Sequence, residues 1–143
     1  MTDPKLIYHN ADEVEAIVRG LEACTIGPAE FKHQAHLTVA LWYLSRLSHA
    51  EASARMRESL FRFINHHGEQ GYNETMTIFW LKLVGRFLDR VQPGRGSIAE
   101  LANELALTYR DSRLIFDYYS RELISSPAAR EGWVEPDLKP LDF

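Results

Sequence analysis

The sequence predicts an all-α fold, a compact bundle of five or six helices with an extended C-terminal tail packed across it. Three observations carry that expectation. Apolar residues return at helical spacing in one stretch after another, serine and acid pairs three residues apart mark helix starts, and no stretch shows the strict alternation of a half-buried strand. Neither an internal repeat nor a low-complexity segment interrupts the pattern, so residues 1–143 read as a single domain.

The elements follow in order. Asn10 or Asp12 is placed to cap a first helix, whose stripe of Val14, Ile17, Val18 and Leu21 runs to about Cys24. Gly27-Pro28 breaks the chain, and a second helix is expected from about residue 30 to residue 47. Ser48 with Glu51 forms the capping box of a third. Its buried face takes Ala52, Met56, Leu60, Phe63 and Ile64, and it ends at His66-His67-Gly68. A fourth helix is expected to begin near Asn73 and to stop at Gln92-Pro93-Gly94. Ser97 with Glu100 opens a fifth through Tyr109, and Asp111 caps a shorter sixth that reaches Tyr118 or Tyr119. One more turn is expected over residues 128–131. Beyond it Pro136 and Pro140 favour an extended tail, with Trp133, Leu138, Leu141 and Phe143 laid across the bundle.

Composition narrows the class of partner. Of 143 residues, 45% are hydrophobic and 25% charged, with a net charge of −4, which is the balance of an ordinary soluble globular domain. No whole-molecule field attracts a phosphate backbone, so nucleic acid is not an expected partner. Arg55, Arg57 and Arg62, diluted by Glu51 and Glu58, read as one solvated helix face. Cys24 is the sole cysteine, which excludes an intrachain disulfide and a thiolate metal cluster. The first residues lack the order of a signal peptide, and no apolar run reaches the length that spans a bilayer. A cytoplasmic protein without membrane contact is the expectation.

Two runs, Ala35 to Leu44 and Met76 to Leu81, are apolar on nearly every side, so the second and fourth helices are expected to be the most buried. A polar cluster stands at the mouth of each. His33 and His36 open one, and Tyr72, Asn73, Glu74 and Thr75 open the other. Short connections make consecutive helices antiparallel, so both mouths, together with His66 and His67 at the end of the third helix, share one end of the bundle.

That end is the predicted site. His33 and His36, three residues apart, lie on one helical face and can hold one metal ion or line one pocket. Glu30 extends them to Glu-x-x-His-x-x-His, a donor set suited to a divalent transition metal acting on a small molecule. Glu74 is the candidate general base or ligand, and Tyr72 the candidate hydrogen-bond donor to substrate. Asn73, Tyr118 and Trp42 are candidate substrate contacts. Each has a structural alternative: a satisfied core histidine for His36, a cap for His33, a solvated helix end for His66 and His67, a carboxylate favoured by free N–H groups for Glu74, a hydrophobic staple for Tyr72, and core packing for Tyr118 and Trp42. The expected function is therefore a small-molecule site, in a metal-assisted enzyme or, alternatively, in a non-catalytic helical module that binds a ligand or another protein. The second class includes a homodimer formed through an exposed apolar face.

Taken together, Phe31-x-His33-x-x-His36-Leu37, Gly71-Tyr72-Asn73-Glu74-Thr75, Tyr118-Tyr119-Ser120 and Ser126-Pro127-x-Ala129-Arg130 resemble a family of small all-helical bacterial proteins of unknown function, over residues 30–141. The resemblance implies a helical fold and brings no activity with it. That family more often reads Tyr-His-Glu-Thr where this chain has Tyr72-Asn73-Glu74-Thr75. If that histidine is a third ligand, Asn73 weakens metal binding, because a neutral amide is a poorer donor than imidazole.

Overall fold

A computed structural model describes residues 6–91, 94 and 96–143. The first five residues, and Gln92 and Pro93 at the expected stop of the fourth helix, lie outside the described residues. Those described form helices and no strand, as the sequence predicts: α1 (Ala11–Glu22), α2 (His33–Arg46), α3 (His49–His67), α4 (Glu74–Arg90) and α5 (Ile98–Thr108), then a 3-10 helix (Ser112–Asp117) and two single turns, α6 (Arg121–Ile124) and α7 (Pro127–Glu131).

The starts of these helices obey local chemistry. Asn10, Ser48, Asn73 and Ser97 each accept a backbone N–H three residues on, and the Ser97–Glu100 capping box is complete. Gly68 takes a left-handed φ of 66° and closes α3, as its place after His67 requires. α2 begins at His33 rather than at residue 30. The Glu30 carboxylate accepts the Gly27 N–H at 2.7 Å, which holds residues 27–31 in a turn and delays the helix. The segment after Asp111 is a 3-10 helix rather than an α-helix, with Asp111 accepting the Arg113 N–H. α6 has no counterpart among the predicted elements.

α2 runs through the middle of the bundle, with α1, α3, α4 and α5 packed against it. Leu37, Val39 and Leu41 are buried, and Thr38, buried among them, satisfies its hydroxyl on the Gln34 carbonyl and the Tyr8 hydroxyl. A smaller apolar cluster of Phe79, Ile115, Tyr118, Tyr119 and Ile124 joins the other face of α4 to the last segments, and Trp133, Val134, Leu141 and Phe143 pack on it. The expected tail is thus present. Leu138 is the exception: its backbone N–H donates to the Tyr118 carbonyl at 2.9 Å and its side chain remains 56% exposed. No helix is long and apolar enough to cross a membrane among the described residues.

Candidate functional site

α2 and α4 are extensively packed neighbours, and the starts of both reach one cavity of about 340 Å³ between α2, α3 and α4. His33, His36, Tyr72 and Asn73 all line it, as do Met56 and Trp80. No Asp, Glu, Lys or Arg does. Two roomier clefts, of about 430 and 470 Å³, are shallower and are lined by ionised side chains such as Lys82, Arg86 and Asp111.

His33 is the first residue of α2. Its Nε2 lies 2.7 Å from the Tyr109 carbonyl oxygen, which can only accept, so Nε2 carries the proton. In the neutral ring Nδ1 is left as an acceptor. The edge of the ring meets Trp80, with centroids 4.6 Å apart. One turn further, His36 stacks on Phe31 at 4.2 Å. Its ring is partly buried, lines the cavity and makes no hydrogen bond among the described residues, whereas the buried side-chain nitrogen left without a partner among those residues is Nε2 of His67, outside the cavity. Burial, and to a smaller extent His33, draw the His36 imidazole down from 6.5 to about 4, because an imidazolium loses its hydration there. His36 is therefore a neutral, unpartnered polar group in an apolar wall.

Glu74 is not part of that wall. As the first residue of α4 it receives the Arg57 guanidinium on both oxygens, Nε to Oε1 at 2.9 Å and Nη2 to Oε2 at 2.6 Å, and the Tyr72 hydroxyl donates to Oε1 at 2.5 Å. The Arg57 hydrogen bonds hold its carboxyl below the usual value of 4.5 against the opposing effect of burial. A carboxylate that receives three internal donors and lies outside the cavity lining is not placed to take a proton from a molecule bound there. Tyr72 is pushed up to about 12 by burial first and by Glu74 second. Arg57, expected on a solvated face, is here half-buried and paired between two helices. Sequence reasoning missed it because the pairing joins α3 to α4 and has no local signature.

Asn73 is engaged at both ends of its amide, accepting the Met76 N–H and donating to the Ile124 carbonyl at 2.7 Å. Tyr118 and Trp42 stand away from the cavity. Tyr118 donates to Asp142 inside the cluster beneath the tail, and Trp42 is buried in the main core with Arg46 over its ring. His66 and His67 close α3 outside the cavity, His67 against the ring of Phe63. No group of three His, Cys, Asp or Glu side chains gathers with the geometry of a metal site among the described residues. Glu30, the expected third donor, is held by Gly27.

Comparison with protein-family models, with curated proteins and with solved structures found no match to this chain.

Proposed function

We propose that the cavity between α2, α3 and α4 is a small-molecule binding site. The observation that carries this reading is a 340 Å³ hollow with a mostly apolar wall, on which the partly buried His36 imidazole stands with no protein hydrogen bond among the described residues. An imidazole that no protein group engages is free to meet a molecule in the hollow, and an apolar cavity of ligand size with a few polar groups on its wall is the usual form of a small-molecule site. The groups around it favour binding over acid–base turnover. An imidazole drawn down to about 4 is a weak base and carries no acidic proton to give at neutral pH, and the Glu74 carboxylate is committed to Arg57.

The metal-assisted alternative rests on two imidazoles three residues apart. It is tested by metal analysis of untagged protein beside the His33→Ala, His36→Ala double variant, where stoichiometric metal lost in the variant is its expected signature. The binding reading is tested by ligand-detected NMR with a library of small fragments. Fragments that perturb the His36, Trp80 and Met56 resonances support it, and a library that perturbs none of them overturns it.

A further inference from the structure

The hydrogen-bonding state of the cavity wall specifies a class of ligand, an inference that rests on the binding reading above. The protons of several lining groups are already used inside the protein. Tyr72 donates its hydroxyl proton to Glu74, Thr77 donates its own to the Asn73 carbonyl, and His33 gives its Nε2 proton to the Tyr109 carbonyl. The Tyr72 oxygen is itself already approached by Arg57 and Thr77, so what remains for a ligand on these three groups is a lone pair of the threonine oxygen and the second ring nitrogen of His33. His36 adds a further acceptor nitrogen and, on its other ring nitrogen, an N–H donor, neither of them engaged by a protein group among the described residues.

Charge narrows the class from the other side. No lysine or arginine lines the cavity to receive a carboxylate or phosphate, and the nearby Arg57 is already clasped by Glu74. No acidic side chain lines it to receive an ammonium group. An ion entering this space leaves water without a partner, at a cost well above that of burying a paired neutral group. Shape supplies the remaining constraint. Trp80 presents an aromatic surface and Met56 and Met76 present flexible thioethers, which pack favourably on the edges of aromatic rings.

We infer that the ligand is a neutral aromatic alcohol of the phenol class, its ring held against Trp80, Met56 and Met76 and its hydroxyl donating to the free nitrogen of His36. A ring bearing one hydroxyl matches the apolar and aromatic surface and supplies a donor to the His36 acceptor. A hydrocarbon ring leaves the His36 acceptor unpaired, and a benzoate brings an uncompensated charge.

The test uses the full chain and three probes of similar size: phenol, toluene and benzoate, titrated while the His36 and Met56 resonances are followed. Phenol is expected to bind about tenfold more tightly than toluene, the scale of one buried hydrogen bond, with benzoate weaker than either. In His36→Phe, phenol should fall to the affinity of toluene while toluene itself is retained. The three affinities of the wild-type protein decide between the outcomes even if that variant fails to fold. Toluene binding at this site as tightly as phenol, or benzoate binding more tightly, overturns the phenol class and leaves the binding reading intact. If none of the three, nor any fragment of the library, perturbs the cavity resonances, the binding reading falls and this inference falls with it.

Discussion

Arg57 and Glu74 meet as a two-pronged ion pair that ties the middle of α3 to the first turn of α4, with N–O separations of 2.9 and 2.6 Å. Two parallel charge-assisted hydrogen bonds fix the relative position of the helices more tightly than a point contact does. The pair stands directly behind the cavity, because Tyr72 bonds to the same carboxylate while its own ring lines the hollow. It braces α3 against α4 beside one wall of the cavity.

The first prediction follows from that brace. Glu74→Gln retains shape and removes charge, and should destabilise the fold by about 1–3 kcal/mol at pH 7, below the cost of breaking a fully buried pair because Arg57 is partly solvated. The Glu74 carboxyl titrates below 4.5 when folded, so its contribution is complete above that value and is lost as pH falls through the depressed one. Urea denaturation should show a gap between wild type and variant at pH 7 that narrows below about pH 4. An equal gap at pH 7 and pH 3 would rule out the ion pair as its source.

Asn73 joins two elements, and its loss should register at both. Asn73→Ala removes the cap of α4 and the bond to the Ile124 carbonyl, for an expected loss of about 2 kcal/mol as the sum of one cap and one partly buried hydrogen bond. Asn73→Asp keeps the cap and loses the donor, so it should recover about half of the difference. Thermal denaturation of the three proteins checks the order. Equal stability of the two variants would show that the cap contributes nothing measurable beside the Ile124 bond.

Much of this arrangement was legible in the sequence, for reasons that differ by level. Helix starts were readable because Ser48, Asn73 and Ser97 act on backbone groups three residues away, so the signal is local. The meeting of His33 and His36 with Tyr72 and Asn73 was readable because short connections leave few ways to stack successive helices. The isolation of Glu74 from the cavity was not, since it depends on a partner 17 residues away whose charge looked solvated. The α6 turn escaped because its four residues carry too little apolar periodicity to stand out, and its Ser120 cap resembles any serine in a loop. Tyr118 and Trp42 illustrate the same limit: aromatic residues are recognisable as packed, while the cluster they pack in is set by tertiary contacts.

A third prediction concerns the tail. Thr75 is fully buried on α4, and its hydroxyl donates to the Gly132 carbonyl at 2.7 Å while accepting the Val134 N–H at 3.2 Å. Thr75→Val is close in shape and abolishes both bonds, leaving two backbone groups unsatisfied at an expected cost of about 1–3 kcal/mol. The loss should be local before it is global. Limited proteolysis is expected to cut near residues 132–135 in the variant under conditions that spare the wild type, and identical digestion patterns would show that the tail is held by its apolar contacts alone.

The last prediction concerns His36 and the sign of its pH dependence. In the unfolded chain its imidazole titrates near 6.5, and in the folded protein near 4, because burial opposes the charged form. Between those values the unfolded chain binds a proton that the folded protein refuses, so stability falls as pH drops from 6.5 toward 4 and stops changing on this account below that. The full difference corresponds to about 3 kcal/mol at roughly 1.36 kcal/mol per unit. His36→Phe should flatten that part of the stability curve, and the two proteins should converge at neutral pH except for any difference in packing. Direct observation is available through the ring proton resonances, which should hold their neutral shifts through about pH 5. A His36 resonance with its midpoint near 6.5 would mean that the ring is hydrated in the folded state, and the apolar wall assigned to it would have to be abandoned.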